Sequence, residues 1–307
     1  MKLIKPSFEI WEQPASLEGV YKQIERAGRV CYKSEDKITE NSAKPFVGRM
    51  IESGHGAMLE HGTVYLAMPL ETMLPIEING WGKYTKNPYS KGFKACEVNG
   101  QKRVAVTTNL RVLVENGWLD DLQYICEPTK YHERRITVHF VCDRGVSHEF
   151  VRHRVMSFAQ ESTRYCNYSK NKFGNELTFI KPCWLDMHDT DEGREVTRNW
   201  NFDILDGCSI IAEEGEFDDA RDAFLTSLNV AEHCYLELLQ KGWTPQQARA
   251  VLPNSLKTEL VVTGFTSDWE HFFGLRARGT TGAPHPQAKE LAEPLMKEFI
   301  TRKYINN

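Results

Sequence analysis

The sequence predicts an α/β (α+β-like) protein, helix-rich, built around a modest antiparallel or mixed sheet. Two observations predict it: segments with period-two alternation occur alongside longer segments with apolar residues at helical spacing, and no internal repeat or low-complexity tract interrupts them. At 307 residues the chain is near the upper limit of one hydrophobic core, and it is read as a single catalytic-size domain, 1–307.

Leu17, Val20, Ile24 and Ala27 lie on one helical face and predict a first amphipathic helix. Phe46, Val47, Met50 and Ile51 predict a second, stopped by Gly54. Thr63 to Met68 alternates as a strand, and Arg135 to Cys142 does the same, so these two are expected to be neighbours in one sheet. The segment between them, about 70–134, reads as an insertion. Within it, Asn99-Gly100 between two strand-like runs signals a hairpin, and Leu110 to Glu115 signals a short helix ended by Asn116-Gly117. An irregular acidic stretch covers about 186–216, and both segments are read as surface elaborations. Phe217 to Lys241 carries an apolar stripe through Phe224, Leu228, Ala231, Tyr235 and Leu238, ended by Gly242. Thr244-Pro245 supplies an N-cap and first helical residue, and Ser267-Asp268-Trp269-Glu270 reads as a capping box. A last helix begins near Pro286 and turns Ala288, Leu291, Leu295 and Phe299 inward.

Composition excludes several classes. A hydrophobic fraction of 41% and a net charge of −4 give no general attraction to nucleic acid or anionic membranes. No apolar run approaches the roughly 18 residues that span a bilayer. The eight cysteines form no CxxC pair, and the charged N-terminus does not read as a secretory signal, so the expected compartment is the cytoplasm. Recognition of an anionic ligand must then come from a local cluster of cations.

Val151 to Tyr165 holds such a cluster. Arg152, His153 and Arg154 are consecutive, so on a helix they would point about 100° apart. That fan suits a place where a helix ends and the chain wraps a ligand with several anionic groups. Ser162 and Arg164 add a hydroxyl and a forked cation that match a phosphate or a pyrimidine edge. The alternative is a solvated basic run paired with Glu149 and Glu161; Ser162 and Arg164 at these offsets favour the binding site.

The arrangement Arg152-His153-Arg154, seven residues, Ser162 resembles the signature of flavin-dependent thymidylate synthases. Three further segments resemble that family in order: His55-x5-His61, Gln247-Ala248-Arg249-Ala250-Val251-Leu252-Pro253, and His271-x4-Arg276. The resemblance implies transfer of a one-carbon unit from methylenetetrahydrofolate to C5 of dUMP and its reduction through FAD, with NADPH as the usual reductant. It also implies a homotetramer with sites shared between subunits, with no nucleic-acid or membrane partner and no metal.

Residue by residue, the resemblance implies that Arg152, His153 and Arg154 contact the flavin, with Arg152 also reaching the nucleotide. Ser162, Thr163, Arg164 and Arg249 would hold dUMP, and Arg276 would sit against the uracil, where a fixed guanidinium stabilises negative charge developing on the ring. Ser162 is therefore a binding residue. It has no His–Asp relay that would make it a nucleophile. His55 and His61 could each simply hydrogen-bond their own loop; His55 is the better functional candidate and is grouped with Arg276 as catalytic. His271 and Ser267 fall at flavin-contacting positions. Ala57 stands where a hydroxyl often meets FAD. Glu149 stands where a Gln often contacts dUMP: a carboxylate there can accept from uracil N3–H but would repel a phosphate. Gln160 or Glu161 fills the acidic position before Ser162. The Gly- and Pro-rich stretch after Arg276 is expected to be a surface loop.

Two rival enzyme readings are weaker. A cysteine-dependent thymidylate synthase needs a Pro-Cys-His context, and the chain offers Pro182-Cys183-Trp184. A metal-dependent hydrolase would draw ligands from His55, His61, His148 and His153, but His148 and His153 are five apart and do not share a helical face.

Overall fold

The computed structural model describes residues 1–70, 80–185 and 219–306, together with the backbone of 202–205 and 209–212. In chain order the strands and helices are β1 (Lys2–Ile4), β2 (Ser7–Trp11), α1 (Leu17–Tyr32), α2 (Ala43–Glu52), α3 (Gly56–Leu59) and β3 (Thr63–Pro69). They continue with β4 (Lys91–Val98), β5 (Gln101–Asn109), α4 (Leu110–Glu115), β6 (Arg135–Asp143), α5 (Arg144–Phe150), β7 (Ser157–Gln160) and β8 (Thr178–Ile180). The rest are β9 (Phe202–Leu205), β10 (Ser209–Ala212), α6 (Ala220–Gln240), α7 (Pro245–Ala248), β11 (Lys257–Phe265), α8 (Thr266–Phe273) and α9 (Pro286–Thr301). The architecture is mixed α/β, as the two periodicities predict.

The chain divides into two compact units. The larger comprises Ser7–Cys142, Val146–Ser162 and Thr258–Asn307. It is built on a four-stranded sheet of order β2-β6-β11-β7, with β2 antiparallel to β6 and β7 antiparallel to β11. Because successive strand side chains alternate faces, Ile136, Val138, Phe140 and Cys142 of β6 join Leu260 and Val262 of β11 on one side. Helical spacing on α8 and α9 presents Trp269, Phe272, Phe273, Leu291, Leu295 and Phe299 to that face. The other face carries Trp11, Ala159 and Val261 against Ala27 and Val30 of α1. Helices therefore cover both sides of this sheet.

A second sheet of the larger unit has the order β3-β5-β4, all antiparallel. The expected pairing of β3 with β6 is not found: β3 pairs with β5, placing Leu66 opposite Val106, and β6 lies between β2 and β11. The reason is the hairpin β4–β5, whose turn Asn99-Gly100 has φ of 51° and 74° and so takes the primed geometry that matches strand twist. That hairpin offers β3 a closer edge than β6 does.

The described part of the presumed insertion, residues 80–134, is correspondingly no surface ornament. Tyr84, Val106, Leu110 and Leu113 are fully buried with Val20 and Ile24 of α1 and Phe46 and Val47 of α2. The acidic stretch at about 186–216 lies almost wholly outside the described residues. Helix α6 begins at Ala220 because Asp219 takes the N-cap, its carboxylate accepting from Asp222 N at 2.8 Å; Phe217 lies outside the described residues. The capping box expected at Ser267 is shifted. The N-cap is Phe265, whose N–H donates to Asp268 Oδ2 at 3.0 Å, because β11 runs unbroken to that residue.

The smaller unit comprises Met1–Pro6, Asp143–Gly145 and Thr163–Lys257. Its parallel pair β1–β8 packs Leu3 and Phe179 with Leu177, Tyr168 and Cys166 against Leu228 and Tyr235 of α6. Pro245 opens α7 behind Thr244, and the helix passes into a 3-10 turn, Arg249–Val251.

Candidate functional site

Within the larger unit, α5 stops at Phe150 and β7 begins at Ser157, so Arg152-His153-Arg154 lies in the intervening turn. The turn is tight: His153 N–H donates to Phe150 O at 3.4 Å, and Met156 N–H donates to His153 O at 3.0 Å. Phe150 is fully buried and anchors it. The fan expected past a helix end is present, with Arg152 and Arg154 exposed and His153 buried between them. Among the described residues neither exposed guanidinium has an ion-pair partner. They are cations available to a ligand.

His153 packs on Phe272 at 5.0 Å between ring centroids and meets His271 edge-on at 5.7 Å. Arg276 reaches this group from a π-helical turn, Gly274–Arg278, that continues α8. Such single widened turns often occur at functional sites. Its Nε donates to His153 Nε2 at 3.3 Å, one terminal nitrogen donates to the Glu149 carboxylate, and the other donates to Glu149 O at 2.7 Å. A guanidinium has five N–H groups, so two remain after these three bonds. The Arg276 side chain is 15% exposed, which leaves those two within reach of a ligand.

Burial, then the Arg276 charge, then His271, push the His153 imidazole down to about 4. The ring is neutral at ordinary pH, and its Nε2 lone pair is directed to Arg276. Sign follows from linkage. An imidazole in the unfolded chain titrates at about 6.5, so between that pH and about 4 the unfolded state binds a proton that folded His153 does not. Its contribution to stability is complete above about 6.5 and is lost as the pH falls toward about 4. The melting temperature should drop across that window, and His153→Asn should flatten the drop; an unchanged slope in the variant contradicts this assignment.

Gln160 donates through Nε2 to Ser147 Oγ at 2.9 Å and to Thr258 Oγ1 at 3.2 Å, while Glu161 is buried at 2% exposure. Ser162 N–H donates to Cys31 O at 3.0 Å, tying the motif to the end of α1. His55 is exposed at the start of α3 and makes no capping bond, and Ala57 is exposed beside it. His61 is fully buried: its Nδ1 lies 2.8 Å from Thr263 Oγ1, and burial next to the Arg135 charge pushes it down to about 3. It is a structural link between the loop and β11.

Ser267 is already engaged. Its N–H and hydroxyl both donate to Glu133 Oε1, at 3.2 and 2.6 Å, and Lys91 Nζ donates to Ser267 Oγ at 2.7 Å and to Asp268 Oδ1 at 3.0 Å. Lys91 comes from β4, in the segment to which the sequence assigns no function. Buried Arg135 is another residue that motif reading misses; it donates to Glu60 O at 2.9 Å and to Ser157 Oγ at 3.2 Å. Neither lies at a telling spacing from any motif. As expected, residues 280–283, beyond Arg276, form an exposed loop.

In the smaller unit, Arg249 donates to Thr163 Oγ1 at 3.4 Å, and Arg164 Nε donates to Gln246 Oε1 at 3.0 Å. Three of the residues expected to hold a nucleotide, Thr163, Arg164 and Arg249, are thus joined around the start of α7. Arg164 and Arg249 are exposed, and Thr163 is buried beneath them.

These residues fall within a known family. Residues 131–302, more than half of the chain, match the model of the thymidylate synthase complementing protein family, and the chain belongs to that family. Among its relatives is a flavin-dependent thymidylate synthase of Corynebacterium aurimucosum, 25% identical over 289 residues, covering 94% of this chain and 78% of the relative. The corresponding protein of Corynebacterium glutamicum is 24% identical, covering 87% of this chain and 71% of its own length. A solved structure, the UMP/dUMP methylase PolB from Streptomyces cacaoi bound with 5-Br dUMP, aligns over 98% of this chain and 93% of that one. Its identity is 18% and its TM-score 0.40, a likeness too loose to carry an argument.

Proposed function

We propose that this chain is a flavin-dependent thymidylate synthase, a methyltransferase that converts dUMP to dTMP by reductive methylation. Methylenetetrahydrofolate supplies the carbon and NADPH is the reductant. The observation that carries the reading is Arg276, a fixed guanidinium with two N–H groups left for a ligand, beside the cationic turn of Arg152 and Arg154. Family membership supports it.

Two exposed arginines without an ion-pair partner among the described residues, around a neutral buried imidazole, fit a cofactor that carries a diphosphate. When bound, FAD supplies the hydride that takes the transferred carbon to the methyl level. Arg152, His153, Arg154, Gln160 and His271 would hold it, with Ala57 and Ser267, the latter bonded to Glu133 and Lys91, as further flavin-contacting candidates. The dUMP-binding residues are Arg152, Gln160, Glu161 and Ser162 of the larger unit and Thr163, Arg164 and Arg249 of the smaller, with Glu149 beside Arg276. Arg276 stabilises negative charge on the uracil ring, a polarisation that raises electron density at C5 for attack on the carbon donor with no protein nucleophile at C6. His55 is placed with Arg276 in catalysis. The reading extends to a cytoplasmic homotetramer whose sites are shared between subunits, acting without nucleic-acid or membrane partners.

Absorbance tests it directly. The purified protein should show flavin bands near about 450 nm and should bind dUMP in a calorimeter. A colourless protein that neither takes up added FAD nor binds dUMP contradicts the reading.

A further inference from the structure

Among the described residues, the guanidinium of Arg276 is held by atoms of two. Glu149 contributes both its carboxylate and its own backbone carbonyl, and His153 contributes Nε2. All three guanidinium nitrogens are engaged on this side, so the plane of the group is fixed. The charge-assisted bond from Arg276 to Glu149 Oε2 is the strongest of these three anchors. We propose that Glu149 acts through Arg276, as a positioning residue that sets the guanidinium plane, and is not itself a ligand of the pyrimidine. This rests on the reading that Arg276 acts on the bound nucleotide.

The surroundings agree with the assignment. Glu149 lies near the end of α5, one residue before fully buried Phe150, so its backbone carbonyl is held by the fold. His153 is held against Phe272, and being neutral it can accept the Arg276 Nε–H. Arg276 sits on a widened helical turn whose next residue, Ala277, is buried. Each acceptor therefore stands on a rigid element, as a preorganised charge requires. Without the Glu149 carboxylate the guanidinium keeps two of its three anchors and gains rotational freedom, so misorientation falls on the turnover step more than on binding.

Pairing also tempers charge. An unpaired guanidinium here would attract the dianionic nucleotide in any orientation, whereas the ion pair lowers that pull and leaves two directed N–H groups. Glu149→Gln keeps the shape and an acceptor oxygen but removes the charge, so it should bind dUMP as tightly as the parent or more tightly, with lower turnover.

A double-substitution cycle on the flavin-loaded protein separates the alternatives. The parent, Glu149→Gln, Arg276→Ala and the double variant are compared for dUMP affinity by calorimetry and, with methylenetetrahydrofolate present, for dUMP-dependent oxidation of reduced flavin by stopped flow. The expected result is a loss of about tenfold or more in rate for Glu149→Gln, with dUMP affinity kept. On the Arg276→Ala background the same change should cost less than about twofold. Losses that multiply, or dUMP affinity that collapses in Glu149→Gln while Arg276→Ala retains it, overturn the proposal and make Glu149 a direct nucleotide ligand. An Arg276→Ala variant with parental rate overturns the functional reading instead, so the two failures are distinguishable. Equal melting temperatures of parent and Glu149→Gln exclude a merely structural loss, and if that variant melts early, Glu149→Asp should restore the rate in part.

Discussion

Arg276→Ala is expected to retain bound flavin and to lose dUMP-dependent oxidation of reduced flavin by a factor of roughly 10²–10³, the usual cost of removing one preorganised charge at a developing anion. The size follows from the geometry. Three bonds to Glu149 and His153 orient the group before any ligand arrives, so no reorganisation is needed at the reacting moment. Arg276→Lys should recover little, because an ammonium cannot reproduce a fork bonded through three separate nitrogens. Stopped-flow measurement of anaerobic flavin reoxidation by methylenetetrahydrofolate, with and without dUMP, reads the effect. An Arg276→Ala variant that turns over at the parental rate contradicts the role given to this residue.

Trp269→Ala is expected to be the most damaging single change to stability. Trp269 is fully buried, with ring centroids 5.1 Å from Phe272, 5.9 Å from Phe273 and 5.3 Å from Phe299. Its indole N–H donates to Ile136 O at 3.1 Å, tying α8 to β6. Truncating a buried aromatic of this size costs about 3–5 kcal/mol, and for a unit of this size the melting temperature should fall on the order of 10 °C. Because Phe272 supports both Trp269 and His153, flavin binding should weaken as well. A melting temperature within a degree or two of the parent in calorimetry refutes this view of the core.

Features coded by neighbouring residues were legible in the sequence. Val20, Ile24 and Ala27 mark the buried face of α1 by spacing alone, and Asn99-Gly100 marks its turn because few residues take two successive positive φ angles. The basic turn was legible for the same reason: three consecutive side chains cannot share a helix face, and they lie where α5 has ended. Pairings across long separations were not legible. Alternation in Thr63–Met68 says that a strand exists but not which edge it joins, and β5 competes successfully with β6 for it. Burial of Tyr84 and Val106 likewise depends on that pairing. In the site, Glu149 and Arg276 stand 127 residues apart and Lys91 and Ser267 stand 176 apart, so no local pattern records either contact. A resemblance placed Glu149 near the nucleotide; only the fold shows its carboxylate on Arg276.

Product analysis tests the central claim most directly. The flavin-loaded protein is supplied with dUMP, methylenetetrahydrofolate and a flavin reductant, and both the nucleotide and the folate are identified by chromatography. A methylene carbon becomes a methyl group by gaining two electrons. If those electrons come through the flavin, dTMP should appear with folate released as tetrahydrofolate, and no dTMP should form when the flavin is removed. Formation of dTMP without flavin, with folate released as dihydrofolate, or no dTMP from the loaded and reduced protein, contradicts it.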